Sequence, residues 1–174
     1  MAEAHPEQNF LGLEIRRPVA ATALVRAAGT RLRNLHFICC NANVDLEKIL
    51  SRAASQGAMV ETISIQFPDP CFKSKHHKRR VLQPKLVKTI EKHLVPGGKL
   101  FMQGDVLEVL EEMREMVREK SDLLTDSEPD FNKWMEGEEK NPMGVMTERE
   151  VATYGKGQRV YRCVFLKQGG RDAQ

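Results

Sequence analysis

The sequence predicts an α/β domain with a mostly parallel sheet and an antiparallel last strand. Short apolar runs alternate with longer segments of helical periodicity, the signature of βαβ units. Breakers rich in Pro, Gly and Asn fall between those runs, where turns belong. The chain of 174 residues is long enough for one domain with a sizeable core and too short for two ordinary ones.

Taken in order, Asn9–Ile15 (NFLGLEI) reads as a strand, and Pro18 suits the first turn of an Ala-rich helix that Gly29 ends. Leu35–Cys40 (LHFICC) reads as a second, buried strand, and the turn Asn41-Ala42-Asn43 leads into a helix running to about Ser55. Met59–Phe67 is a third strand that stops at Pro68-Asp69-Pro70, and Gln83–Leu94 is a helix. Pro96-Gly97-Gly98 reads as a turn before the strand Lys99–Gln103. Val106–Lys120 follows as a helix with Leu107, Leu110, Met113 and Val117 on one face. Residues 121–147 read as irregular, and Val160–Leu166 as the closing antiparallel strand. No internal repeat or low-complexity linker divides the chain, so a single domain over 1–174 is expected.

Apolar residues make up 41% and charged residues 29%, ordinary values for a globular domain. No apolar run approaches the ~20 residues of a membrane-spanning helix, and the N-terminus lacks a secretory-signal pattern. Cys39, Cys40, Cys71 and Cys163 form no CxxC pattern, and no metal is expected. Adjacent Cys39 and Cys40 read as core thiols, and a reducing, intracellular compartment is expected, with cytoplasm, nucleus and plastid left open.

The net charge of +3 conceals a segregation. Residues 71–104 carry nine Lys or Arg against Glu91 alone, whereas residues 105–139 carry thirteen acids against four bases. The basic block points to a polyanion, and the acidic block argues against indiscriminate binding. A solvated helix face is the ordinary alternative for such a run.

The residues closing the predicted strands are Glu14, Asn41-Ala42, Asp69 and Asp105, where ligands of open α/β sheets bind. FPDPCFKSKHHKRR (Phe67–Arg80) sets an acid between two prolines, then five Lys or Arg and two His within eight residues. Pro68 and Pro70 narrow the backbone choices around Asp69, as positioning a reactive group requires. The cations suit phosphates, and Phe72 or the histidines would stack on a base. KHHKRR also fits a non-specific nuclear-localisation run.

From about residue 5 to residue 167 the chain resembles the tRNA (guanine-N7-)-methyltransferase family, Rossmann-like enzymes that use S-adenosylmethionine. The motifs are HPEQNFLGLEIR, the Asn41-Ala42 turn, FPDPxxKxxHxKRR, PGGKLF and Thr147-Glu148-Arg149-Glu150. The resemblance implies that Glu14 holds the cofactor ribose beside Arg16 and that Asn41 and Ala42 flank its adenine. It implies that Asp69 is the catalytic, guanine-binding acid and also lies against the cofactor. Lys73, His77, Lys78, Arg79, Arg80 and Asp105 would contact tRNA. Thr147 would touch cofactor and base, with Glu148, Arg149 and Glu150 on the substrate. In some eukaryotic members a non-catalytic partner subunit is also implied.

Three departures stand out. The family's first strand and its acidic-x-Gly-x-Gly loop are missing; that strand belongs at the sheet centre, between Asn9–Ile15 and Met59–Phe67. Truncation relative to a longer enzyme is therefore expected. Cys71 replaces a common Trp, and Gln103-Gly104 precedes Asp105 where Thr is usual. The lost loop keeps a second reading open, an RNA-binding scaffold with little or no activity. A dinucleotide-dependent oxidoreductase is disfavoured, since no GxGxxG occurs and Gly155-Lys156-Gly157 reads as a turn.

Overall fold

A computed structural model describes residues 1–71, 80–128 and 141–169. Its elements are β1 (Phe10–Glu14), α1 (Arg17–Ala28), β2 (Leu35–Cys39), α2 (Ala42–Ala54), β3 (Val60–Gln66), α3 (Pro84–His93), β4 (Leu94–Gly104), α4 (Leu107–Lys120), β5 (Leu124–Asp126), α5 (Glu148–Tyr154) and β6 (Tyr161–Lys167). Pro residues stand in the first turns of α1 and α3, where the missing N–H costs nothing. Asn41 caps α2 by accepting from the Asn43 amide.

The sheet is divided. β1 and β2 form a parallel pair, and β3-β4-β6-β5 form a second sheet in which β3 and β4 are parallel while β6 runs antiparallel to both its neighbours. The α/β class and the antiparallel last strand match expectation, while the ladders are mixed, two parallel and two antiparallel; among the described residues no strand joins β1 to β3. The main core lies on one face of the larger sheet. Ile65, Leu100, Met102, Cys163 and Phe165 alternate along three strands and meet Leu86, Val87 and Ile90 of α3 and Leu110, Met113 and Val117 of α4.

Helix pairs hold the two sheets together. Leu46 and Leu50 of α2 join the core beside α3, and Glu47 accepts from Lys92 at 2.5 Å while His93 Nε2 lies 3.2 Å from its other oxygen. Arg26 of α1 reaches Glu148 of α5 at 2.9 Å.

Three expectations change. The second strand is not buried: Cys39 is exposed and Cys40 half-buried, because in their two-stranded sheet only Leu13 of β1 packs against the main core among the described residues. The thiol fully enclosed in the core is Cys163, whose pKa burial pushes up to about 12. Residues 121–147 contain β5, which Arg114 and Arg118 of α4 hold through Asp126. Finally, Pro96-Gly97-Gly98 lies inside β4 as a bulge, where four residues of β4, 95–98, stand opposite the single residue Glu61 of β3. Gly97 has φ of +77°, and a Cβ on Gly98 would sit 2.8 Å from the Val95 carbonyl oxygen.

Those oxygens belong to backbone and cannot swing aside. Gly98→Ala is expected to destabilise the fold by about 1–3 kcal/mol in urea titrations, through overpacking. A pH effect follows from Glu47, whose carboxyl the Lys92 and His93 contacts lower from 4.5 to about 2. A depressed carboxylate contributes stability above its unfolded pKa and loses it as pH falls through the folded one. Glu47→Gln should therefore show a shallower stability loss than wild type between pH 4.5 and 2, and the difference should shrink in high salt because the group is solvated.

Candidate functional site

Parallel pairing of β3 with β4 brings two acids to one end of the sheet. Gln66 pairs with Gln103 in register, and the Phe67 amide extends the ladder by donating to the Gln103 carbonyl at 2.7 Å. Asp69 therefore follows β3 just where Asp105 follows β4. A Cβ on Gly104 would meet Pro68 Cδ at 3.8 Å, and Pro68, Gly104, Asp105 and Val109 line a shallow cleft.

The loop carrying Asp69 is strained at both ends. Phe67 has φ of +48° and Cys71 of +45°, left-handed values unusual for residues with a Cβ. Such residues cost on the order of 1–3 kcal/mol each and persist only where their surroundings determine them. Asp69 Oδ1 accepts from the Cys71 amide at 3.0 Å, closing an Asx turn. Arg80 braces the loop by donating from Nε to the Pro70 carbonyl at 3.2 Å, and it ion-pairs with Glu112 of α4. The end of the basic block is thus docked on the acidic one. Asp69 itself is exposed, with its charge toward solvent.

Thr147–Glu150 opens α5 with a capping box: the Thr147 hydroxyl accepts from the Glu150 amide at 3.1 Å, and Glu150 accepts from the Thr147 amide at 3.2 Å. Arg149 donates to Asp105 Oδ2 from two nitrogens, at 3.2 and 2.5 Å. Glu150, expected on the substrate, is fully buried and ion-paired to Arg162 of β6, so its carboxylate faces the protein interior in this structure. Both its oxygens are already occupied, by Arg162 on one side and by Thr147, Asn141 and Gln103 on the other.

At the end of β1, Glu14 Oε1 accepts from the Arg16 amide at 2.7 Å, and Oε2 has no hydrogen bond among the described residues. Arg16 is exposed. Asn41 caps α2 and Ala42 opens it at the end of β2, with Ala42 partly buried against the core. No hydrogen bond links this pair of strand ends directly to Asp69 or Asp105 among the described residues; Arg26–Glu148 is the bridge on that side. Lys73, His77, Lys78 and Arg79 lie outside the described residues.

Residues 1–163 match the protein family described as "Putative methyltransferase". A tRNA (guanine-N(7)-)-methyltransferase of Synechocystis sp. is 42% identical over 96% of this chain and 75% of its own length. The Thermosynechococcus vestitus protein of the same name is 44% identical over 95% of this chain and 72% of its own. This chain belongs to the tRNA (guanine-N(7)-)-methyltransferase family. The fold agrees: a Methanococcus jannaschii fibrillarin pre-rRNA processing protein superposes with a TM-score of 0.53 at 12% identity, over 97% of this chain and 60% of that one. An N-methyltransferase from Bradyrhizobium japonicum, in complex with S-adenosyl-L-homocysteine, gives 0.51 at 10%, over 92% and 67%.

Several residues of this cluster carry no motif. Gln103 lies dozens of residues from Tyr154 and Arg162, and the three become neighbours only across β4, β6 and α5. A signal in the sequence is a polar residue next to an apolar run, Gln103 after LFM and Arg162 within VYRCVFL.

Asn at position 69 would keep an acceptor oxygen for the Cys71 amide, whereas Ala would not. Asp69→Ala should therefore lose about 0.5–1.5 kcal/mol of stability in urea unfolding, and Asp69→Asn clearly less. Equal losses would show that the turn bond does not hold the loop.

Proposed function

We propose that this chain transfers the methyl group of S-adenosylmethionine to N7 of a guanine in tRNA. The observation that carries this reading is the Asp69 loop: an exposed carboxylate, held by strain and an Asx turn, at the end of β3 beside Asp105. The relatives named above act, by their names, on the same base.

S-adenosylmethionine, when bound, supplies an electrophilic sulfonium methyl. The free Oε2 of Glu14 fits one hydroxyl of a ribose diol, and Ala42 beside Asn41 fits the face of an adenine. Guanine N7 offers an in-plane lone pair and has no proton to lose, so no general base is required. Placement in line with the methyl is the main task of the protein. Asp69 accepts from the N–H groups of the base, orients the ring and offsets the positive charge that develops on it. Asp105, half screened by Arg149, borders the neighbouring cleft, which shares Pro68, Val109 and Met113 with the one that Asp69 lines. Lys73, His77, Lys78, Arg79 and Arg80 meet the phosphates and fix the register of the RNA without reading sequence. Arg80 would exchange its ion pair with Glu112 for this. Thr147 presents the start of α5 toward cofactor and base, with Glu148 and Arg149 facing the substrate.

Labelled methyl transfer from S-adenosylmethionine to unmodified tRNA tests the proposal. The expected product is 7-methylguanine, with the rate falling roughly 100-fold in Asp69→Asn, the usual loss for one preorganised group. Salt-sensitive tRNA binding without incorporation would overturn catalysis by this chain and favour the scaffold reading.

A further inference from the structure

We infer that Arg162 is a positioning residue for this site: with Gln103 and Tyr154 it seats α5, and through it Thr147 and Arg149, at the carboxyl end of β4. The inference rests on the reaction proposed above and adds a residue that no motif of the family resemblance includes.

Arg162 is only 5% exposed, and Glu150 and Gln103 are both 0% exposed. A buried guanidinium or carboxylate is costly unless partners match its donors and acceptors. Here they do. Arg162 Nε donates to Gln103 Oε1 at 3.3 Å, and Nη2 donates to the Tyr154 hydroxyl at 2.8 Å and to Glu150 Oε1. Glu150 Oε2 accepts from the Thr147 amide at 3.2 Å, Asn141 Nδ2 at 2.9 Å and Gln103 Nε2 at 3.4 Å. Gln103 Nε2 also donates to Gln66 Oε1 at 3.1 Å, which carries the network to the last residue of β3.

The register explains why this cluster can aim the site. Gln103 pairs with Arg162 across antiparallel β4 and β6, so the two side chains share one face, opposite the apolar core. Helix α5 has seven residues, of which only Glu150 and Thr153 are buried. Without a buried apolar side chain of its own, it lacks the usual reason for a short helix to stay in place. Its anchor is the ion pair at Glu150. The adjacent residue, Arg149, is exposed and holds Asp105 Oδ2. Where Arg162 draws Glu150 inward therefore sets where Arg149 meets Asp105 and which oxygen of Asp105 stays open to a base.

The test combines amide hydrogen exchange with methyl-transfer kinetics for wild type, Arg162→Gln and the double variant Glu150→Gln, Arg162→Gln. Arg162→Gln strands a buried carboxylate, so α5 amides should exchange about tenfold faster or more. kcat/KM per folded molecule should drop about tenfold, while the Kd for unmodified tRNA, set mainly by phosphate contacts, moves less than about threefold. The double variant removes both charges and should restore α5 protection and most of kcat/KM. A purely stabilising role would lower the unfolding midpoint and leave kcat/KM per folded molecule unchanged, which overturns the inference. Unchanged α5 exchange in Arg162→Gln also overturns it. Restored protection without restored turnover would place Glu150 on the substrate and overturn the positioning assignment. If wild type transfers no methyl, the proposed function fails while α5 exchange still decides the seat.

Discussion

The parallel ladder between β3 and β4 is the constraint on which the rest of the site depends. It stacks Gln66 against Gln103 and extends one bond further to Phe67, so the chain leaves both strands at the same level. Asp69 and Asp105 therefore follow the same end of the sheet, each in the turn just beyond its strand. The same strand β4 then pairs with β6 on its other edge, which brings Arg162 opposite Gln103. One strand thus carries an apolar face that closes the core and a polar end that organises the site. Its bulge at Pro96-Gly97-Gly98 lets this strand start beside Val60 and still finish level with β3.

The division between β1 and β3 has energetic consequences. Parallel sheets are usually covered on both faces, and a two-stranded one is marginal by itself. The β1–β2 pair accordingly shows partial exposure along most of its length, with Leu11 and Ile38 each about two-fifths exposed. Its stability rests on local packing with α1 and on the α2–α3 contact that ties it to the main core. Asn34 contributes a different fastening: its side-chain amide donates to the carbonyls of Ala2, His5 and Gln8, which folds the first residues over the start of β1.

Charge segregation in the sequence turns out to be partly internal. Arg80 of the basic block meets Glu112 of the acidic helix α4, while Arg114 and Arg118 spend their charge on Asp126. The exposed pairs Arg26–Glu148 and Arg149–Asp105 are of the kind worth little in water, so a polyanionic or hydrogen-bonding ligand can exchange into them. The buried pair Glu150–Arg162 is of the opposite kind, since breaking it leaves a charge without solvent. Exposed and buried ion pairs one residue apart on α5 therefore divide the labour between contact and placement.

Much of this was legible in the residues. Alternating apolar runs, Pro at helix starts and breakers at strand ends located β1, α1, α2, β3, α3, α4 and β6 to within a few residues, because local sterics and hydrophobic period act over short stretches. The Phe67–Arg80 motif marked Asp69 by the same local logic. Burial and pairing were different. LHFICC looks like a core strand by composition, yet its thiols lie outside the main core because the strands beside it form a separate sheet. Thr147–Glu150 reads as ligand-contacting, yet Glu150 turns inward because a buried arginine from a distant strand waits there. Sequence by itself determined the elements and the chemistry of the strand ends; only the tertiary structure decided which polar groups face a ligand and which face each other, since that depends on contacts between residues dozens of positions apart.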